Sequence, residues 1–587
     1  MKWRMWYNCK HFAFDSVKAR RDCSQVSRYL PYVLTVFAVL AVFAGTAGFS
    51  YIGLDDAGYT FRNPFVATGL SLSNVVESFT NFSHGGIWMP ITYISYMIDI
   101  ELSRFFGVTL SVWMHLVNVL FHALNAVMLF HLARRVGAVA GGRGSSFALL
   151  LAVLFWAIHP LRAEPVAWIA CRKEMLWGFF SLSAMVFWLR SLVDEGRPVA
   201  IGLFRLAALL LFAAACLSKP SAMCFPVLAL ALHLLLRFGA EQGREGCRFT
   251  PPVRACYAAM FVLAGGTAIA AAYSQTHVAG QEAVALFAAP LHHRIVHALS
   301  ALGFYVRATV WPSGLHVDCR IVEGIMPLGG VGNLIALALA ALAALSVAVR
   351  VRIWRISCVS AACVFSFVWF IVPLVPTLGL LGSFGIEAHA DRFAYLPTMS
   401  VVFLAALVPV PSCAARLASR AALRRAMVLA VAAYAVAAFR QTRFWSDDHT
   451  AHRRALECDP LHPRAMVHVG DALCARFRDF DKGIALYRKS LALRPREYVK
   501  YRLAYALASR GNWDDFLEVK RLGADVAKDP SLDGRGMMLD ALGTAYMVEG
   551  DWENAVRMFK ASIDAPGRFW PKASTRRKLD ECLERIN

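Results

Sequence analysis

Between positions 29 and 439 the sequence is a succession of apolar runs, many of them near the 20 residues that a helix needs to cross a bilayer. That pattern constrains the fold more than any other feature. In hydrocarbon a chain spans only as a helix or a closed barrel, and continuous runs, unlike alternating ones, select helices. The 587-residue chain is 58% hydrophobic and 17% charged, with a mean hydropathy of +0.49, outside the soluble globular range. The expected class is therefore all-α: a polytopic membrane helix bundle.

The first run, 29–50, follows a tail carrying Lys2, Arg4, Lys10, Lys18, Arg20, Arg21 and Arg28 against Asp15 and Asp22. Residues 1–28 read as a basic cytoplasmic tail, and the run as an anchor rather than a removed signal peptide. Further spans are expected at 111–132, 145–158, 174–189, 199–217, 222–236, 255–273, 329–349, 358–376, 396–410 and 426–439. Arginines punctuate the intervals at Arg134, Arg135 and Arg143, at Arg190 and Arg197, and at Arg237, Arg244, Arg248 and Arg254. Two later clusters are Arg350, Arg352 and Arg355, then Arg416, Arg420, Arg424 and Arg425. All of them fall on the inner side if 293–312, with Arg294, His297, Arg307 and Pro312, lies in the interface or re-enters without crossing. This gives about 11 spans over a domain 29–440, outer-face loops at 51–110, 274–327 and 377–395, and a C-terminal part outside. Within the first loop, Trp88-Met89-Pro90 is expected to open a helix, with Pro in its first turn.

The same inner arginines account for much of the formal net charge of +21. No zinc-finger spacing, RNP-like motif or long basic tract accompanies it, so nucleic acid is not an expected partner. The fourteen cysteines are scattered with no CxxC, which argues against a disulfide framework; Cys458 and Cys474 are a pair the sequence permits and does not demand.

After Phe439 the composition turns polar and helix-periodic. Three segments of 441–587 share small residues at Val469-Gly470, Leu503-Ala504 and Leu542-Gly543, turn signals at Asp479-Phe480, Asn512-Trp513 and Asp551-Trp552, and closing prolines at Pro495, Pro530 and Pro566. Gly470 to Ala504 is 34 positions, the tetratricopeptide period; Ala504 to Gly543 is 39, which places a short insertion near Asp533-Gly534-Arg535-Gly536. About three such repeats make a small solenoid, expected on the non-cytoplasmic side. Generic helical hairpins would lack the shared period and the matching glycine and aromatic positions.

Under this topology four polar sets emerge on the outer face. They are Asp55-Asp56 after the first span; His159-Pro160-Leu161-Arg162-Ala163-Glu164 through Arg172-Lys173-Glu174; Ser218-Lys219-Pro220; and Glu387-Ala388-His389-Ala390-Asp391-Arg392-Phe393. Each alone has a plain reading, such as a solvated Asp pair, a helix-breaking His-Pro, or cations snorkelling to headgroups. Together, on one face, they read as a shared cavity, because ionisable groups at membrane depth face pockets or pathways. Carboxylates that take a proton from an attacking hydroxyl, beside cations that hold a departing phosphate, suit group transfer from a lipid phosphate.

These stretches resemble the GT-C superfamily of glycosyltransferases that use polyprenyl-phosphate sugars. Within it they are most similar to the transmembrane-and-tetratricopeptide-repeat O-mannosyltransferase type and its bacterial relatives. The likeness rests on Asp55-Asp56-x-x-Tyr59 with Asn63-Pro64, on His159-Pro160-x-x-x-Glu164-x-Val166-Ala167-Trp168-x-x-x-Arg172-Lys173-Glu174, on Lys219-Pro220, and on Ala390-Asp391-Arg392-Phe393-x-Tyr395-Leu396-Pro397. It implies Asp55 as catalytic base with Asp56 assisting, and Glu164 as a second acid that orients the acceptor or, in some relatives, a divalent metal. Arg172, Lys173, Lys219 and Arg392 would bind the donor phosphate, with His159, Glu174, His389 and Asp391 in support. It implies inverting transfer of a hexose, mannose favoured, to a hydroxyl acceptor: Ser/Thr of a protein presented by the repeats, or a lipid. Glu174 stands where the bacterial pattern has Asp, and Phe393 where the pattern has Tyr.

A divalent cation is compatible with this acid set, though no His/Cys ligand spacing requires one. Short loops and compact spans favour a bacterial inner membrane, with the active face and repeats periplasmic. A non-catalytic scaffold, in which the spans merely anchor repeats that assemble envelope proteins, is the alternative. A flippase would need polar groups midway through several spans; only Asn118, His122 and Asn125 stand out, and a polar helix–helix contact explains them equally well.

Overall fold

The computed structural model describes residues 29–586, except 83–85, 143, 195, 239–247, 279–289, 318–331, 336, 339–340, 342–356, 381–388, 409–419, 524–533 and 566–571. The described residues form helices and short 3-10 turns and no strands. The chain divides into two compact units, 1–447 and 448–587, a few residues beyond the boundary expected at 440.

In the first unit seven helices are long and apolar enough to cross a membrane: Tyr29–Gly48, Leu110–Val139, Ile169–Val193, Pro198–Ser218, Pro220–Arg237, Pro251–Gln275 and Ala421–Arg443. The pair Ser146–Ala157 and Pro160–Ala167, bent by 51°, makes an eighth if counted as one span. This corrects the expected 11 for the described residues. The run at 145–158 stops after 12 helical residues because His159 precedes a proline. Such a residue is driven to extended backbone, and His159 sits at ψ 144°. The run at 396–410 likewise yields only Ser400–Leu407, preceded by 3-10 turns at Asp391–Ala394 and Pro397–Met399. That at 358–376 is the shorter apolar helix Ala361–Thr377. Most of 329–349, with Arg143, Arg244, Arg350, Arg352, Arg355, Arg416 and Glu387, lies outside the described residues. The 293–312 segment is the helix Leu291–Val310, which is not one of the seven. It buries Ala298, Ala301, Phe304, Tyr305 and Ala308 on one face. Pro90 does open a helix, Pro90–Phe106.

Breaks inside the apolar layer leave carbonyls without intrahelical partners. Side chains of other helices take them up. His122 bonds through Nε2 to the Ala157 carbonyl (2.8 Å), where the bent helix stops. Asn118 donates to Trp168 O (3.1 Å), Tyr96 to Ile169 O (2.8 Å) and Thr92 to Ser218 O (2.9 Å). Arg162, fully buried, donates to the carbonyls of Ala394 (3.1 Å) and Tyr395 (3.0 Å). The polar residues Asn118, His122 and Asn125 along Leu110–Val139 thus bind backbone as well as neighbouring side chains. Outward faces carry exposed Val33, Phe37, Leu203, Leu210 and Ile269, as lipid-facing surfaces do.

The second unit is a run of helices, from Asp448–Cys458 and Pro463–Ala475 through Phe480–Leu493, Glu497–Arg510, Trp513–Gly523, Arg535–Val548 and Trp552–Asp564 to Lys572–Ile586. The expected turn signals act as N-caps: Asp479 accepts from Lys482 N, and Asp551 from Asn554 N. The small positions are where helices touch. A Cβ on Gly470 would lie 2.8 Å from the Tyr487 ring, and one on Gly543 2.6 Å from Phe559. Ala504, at the matching position, is fully buried. Cys458 and Cys474 are free thiols. Of the expected insertion site, Asp533 lies outside the described residues, Gly534 has φ +99°, and Arg535 and Gly536 open the helix Arg535–Val548.

Gly543→Val forces a branched side chain against Phe559, and overpacking of this kind costs about 1–3 kcal/mol. The helical array of this variant is expected to unfold at lower denaturant than wild type, followed by circular dichroism or limited proteolysis.

Candidate functional site

Four loop segments leave the apolar helices of the first unit and meet. The first follows Tyr29–Gly48. Asp55 precedes a four-residue helix, Asp56–Tyr59, and makes no cap bond to it. Asp56 is fully buried and bound at both oxygens: Oδ2 accepts from Ile52 N (2.7 Å) and Oδ1 from Ala170 N (2.8 Å). The second bond pins this loop to the His159–Arg172 stretch, 114 positions on. Burial, with Asp55 adding to it, pushes the Asp56 carboxyl up to about 7, against the pull of those two backbone bonds and of Lys173. Asp55 is half-buried, so of the two acids it is the one open to a ligand.

Tyr59, at the end of the short helix, is the link. Its hydroxyl bonds the Asp55 carboxylate, and the Lys173 ammonium lies 3.4 Å from the same oxygen and 4.6 Å from the ring centre. Burial, then Asp55, drives the Tyr59 hydroxyl well above its ordinary pKa, while Arg392 pulls it down. Asp55, Lys173 and Arg392 therefore act on one phenol, although the first and last are more than 300 residues apart in sequence.

The third and fourth segments bring two further ion pairs. Glu164 is buried and bonded to the Arg392 guanidinium, and it also accepts the Arg392 backbone N–H (3.1 Å). Glu174 bonds Lys219 and accepts from Trp177 Nε1 (2.9 Å). Phe393 stands between the two pairs, its ring centre 4.9 Å from the Arg392 guanidinium carbon and 5.2 Å from Lys219 Nζ. Trp168 covers Arg392 from another side at 5.2 Å. Asp391, also buried, has one oxygen, Oδ2, with no hydrogen-bond partner. Burial first, and then the Glu164 charge, hold its carboxyl well above the usual range.

The structure thus brings together Asp55, Asp56, Glu164, Lys173, Glu174, Lys219, Asp391 and Arg392. Three sequence candidates are engaged elsewhere. Arg172 is fully buried, ion-paired with Asp99 (2.8 Å), donating to Met114 O (2.8 Å) and bonded to Asn118 Oδ1. His159 accepts from Leu161 N (3.2 Å) and bonds Thr309 O (3.1 Å), closing its turn. His389 stacks on Phe304, centroids 3.7 Å apart, and burial pushes its pKa down to about 3, so the ring is neutral.

Sequence reasoning gave no role to the Tyr59 hydroxyl, to Asp99 or to Arg162. The Tyr59 signal was its place four residues after Asp55, one helical turn away. Asp99 carried none beyond being an acid on an amphipathic segment.

No family model matches the chain. A protein O-mannosyl-transferase of Caenorhabditis elegans is 25% identical over 134 residues, 23% of this chain and 17% of that protein. The match therefore spans less than a fifth of the relative's length. Among solved structures, the oligosaccharyltransferase AglB of Archaeoglobus fulgidus, in complex with an inhibitory peptide and a dolichol-phosphate, is similar with a TM-score of 0.41 and 14% identity. That similarity covers 78% of this chain and 59% of AglB. The chain resembles the GT-C glycosyltransferases. The helices long and apolar enough to cross a membrane make the chain a multi-pass membrane protein.

Asp56 gives the site a pH signature. Its pKa is raised on folding from 3.8 to about 7, so its favourable contribution is complete below pH 3.8 and is lost as pH rises through 7. Wild-type thermal stability is expected to fall between about pH 4 and 7, and Asp56→Asn to flatten that slope, at a lower overall Tm because one of the two N–H donors loses its acceptor. Thermal unfolding of detergent-solubilised protein across that range checks it.

Proposed function

We propose that the chain is an integral-membrane glycosyltransferase that moves a hexose, mannose favoured, from a polyprenyl phosphate to a hydroxyl acceptor. The acceptor is Ser or Thr of a protein presented by the C-terminal helical array, read as tetratricopeptide repeats. The observation that carries this reading is the asymmetry of the charged cluster. Glu164 neutralises Arg392 and Glu174 neutralises Lys219, whereas the contact found for Lys173 is a phenol and Asp55 stays half-buried. One carboxylate and one ammonium are therefore the least compensated charges, linked through Tyr59.

In this reading the acceptor hydroxyl gives its proton to Asp55 as its oxygen attacks the anomeric carbon. The bond from that carbon to the phosphate oxygen breaks, and attack from the far side inverts the centre. The polyprenyl phosphate leaves with an added negative charge, which Lys173 meets first and Lys219 and Arg392 share. Arg172, tied to Asp99, positions the start of the Arg172–Val193 helix, and with it Lys173 and Glu174. Asp56 holds Asp55 against the second loop. A divalent cation, if bound, would be held by Asp391, whose Oδ2 has no hydrogen-bond partner, and by Glu164 in place of its bonds to Arg392, and would add Lewis-acid stabilisation of the leaving phosphate. The bacterial inner membrane, with the site and the repeats on the periplasmic side, is the setting that the charge pattern of the short loops supports.

Purified protein incubated with a panel of radiolabelled polyprenyl-phosphate sugars is expected to label a protein or lipid acceptor. Asp55→Asn should lower the rate by about 10²–10⁴, the usual worth of a general base, without altering membrane insertion. Full activity of that variant refutes the reading; a phenotype lost only on deleting 459–587 would leave a scaffold. Lys173→Met is expected to cost about 10²–10³ in kcat, as the loss of one stabilising donor does, and to act less on KM. Single-turnover and steady-state rates separate the two.

A further inference from the structure

The helices of the first unit carry a second group of cations, far from the charged site, that the transfer reading does not use. Leu110–Val139 and Ile169–Val193 both pass the site near their starts, where Arg172 is bonded to Asn118. Arg135 stands 17 positions after Asn118, and Arg190 stands 18 after Arg172. At about 1.5 Å per residue that is about 25–27 Å along each axis, close to the roughly 30 Å of the hydrocarbon layer. The two guanidiniums therefore lie at the opposite membrane interface.

There the two helices leave a hollow between them. His131, Arg135 and Arg190 line it, Asp194 is its one acid, and Val139 and Leu189 belong to its apolar walls. Among the described residues neither guanidinium has a carboxylate partner, and Asp194 makes no ion pair. Aromatic rings stand where acids would: Phe204 lies 5.7 Å from the Arg190 guanidinium carbon, and Tyr32 and Phe130 lie 5.6 and 5.9 Å from that of Arg134. The Tyr32 hydroxyl is 3.4 Å from His131 Nδ1, and the charges of Arg135, Arg134 and Arg190 all reach that imidazole. Three guanidiniums are thus gathered around one ring with one acid nearby.

Arginines in loops at a membrane face need only water and a topology to explain them. Arg135 and Arg190 instead project from helix bodies into a recess whose walls are apolar. That combination, at interface depth, complements the part of a phospholipid where the phosphate meets the glycerol and the first methylenes. Guanidinium forks match pairs of phosphate oxygens, and basic pockets between spans suit acidic headgroups. The excess of positive charge favours a headgroup that has no amine.

We propose that the hollow between Leu110–Val139 and Ile169–Val193 binds the phosphodiester of an anionic phospholipid from the leaflet opposite the charged site. Arg135 and Arg190 hold the phosphate, and Val139 and Leu189 face the glycerol. The site requires that these two helices span the bilayer and is independent of the transfer reading.

The test uses the full chain purified in detergent and stripped of lipid. Phosphatidylglycerol in mixed micelles is expected to raise the Tm saturably, and native mass spectrometry to find one retained lipid per chain. Phosphatidylcholine and inorganic phosphate are expected to do neither. Arg135→Gln, at an exposed position, and Arg190→Gln should each weaken phosphatidylglycerol binding at least about tenfold, beyond the roughly fivefold that general attraction to an anionic surface gives one cation. Arg425→Gln, an exposed cation of the Arg420–Arg443 helix outside the hollow, should stay within that fivefold. Equal losses in all three variants overturn the proposal, because the attraction would then be diffuse. Phosphatidylcholine bound as tightly as phosphatidylglycerol overturns it too. Saturable binding of inorganic phosphate that Arg135→Gln abolishes would make the ligand a soluble anion and overturn the lipid assignment.

Discussion

The first unit depends on satisfying backbone that is broken inside an apolar layer. An orphaned buried carbonyl costs about 1–3 kcal/mol, and the chain interrupts its helices at 158–171, 219–224 and 390–399. Each interruption is met by a polar side chain: Asn118 and His122 of the unbroken Leu110–Val139 at the first, Thr92 of Pro90–Phe106 at the second, and Arg162, itself within the first interruption, at the third. Irregular backbone at membrane depth survives only where protein covers it. The same interruptions carry Glu164, Lys219 and Arg392, and Lys173 stands in the first turn of the helix that follows the first of them. The capping side chains are thus the reason a charged cluster can exist at this position.

The charges are then balanced pairwise. A buried ion pair contributes little net stability, since desolvating both partners offsets most of their attraction, while removing one partner is costly. Arg172–Asp99, Glu164–Arg392 and Glu174–Lys219 are therefore better read as devices that fix which loop lies against which. Asp56 does the same with two backbone N–H groups in place of a cation, and burial raises its pKa to the edge of neutrality. What is left after this pairing, Asp55 and Lys173 on either side of Tyr59, is where a ligand meets the least competition.

Much of this was legible in the sequence. The apolar runs marked helices, Pro90 marked a helix start, and the His-Pro and Lys-Pro dipeptides marked the places where the site forms. The span count was not legible, because run length cannot separate a crossing helix from two short ones joined at a proline: 145–158 and 396–410 have the composition of spans and the length of fragments. Partner choice was equally hidden. Arg172 looked like any cation of the motif until Asp99, 73 positions away, proved to be against it, and nothing local to either residue encodes that meeting. Lys173, its neighbour, points to Tyr59 instead, because successive helical side chains diverge by about 100°.

Phe393 shows how one such departure is absorbed. The pattern of the glycosyltransferases that the sequence resembles has a tyrosine there. The bare ring presents its π-face region to Arg392 and Lys219 at 4.9 and 5.2 Å, holding two cations near one another without a hydrogen bond. Like charges so placed repel, and the two glutamates offset that repulsion only while they are bound. In the proposed reading the donor brings a singly charged phosphodiester, and the phosphate that leaves with a second charge can face both cations at once. The ring in place of the phenol would then leave the two ion pairs readier to open toward an anion, without adding any group that must be desolvated.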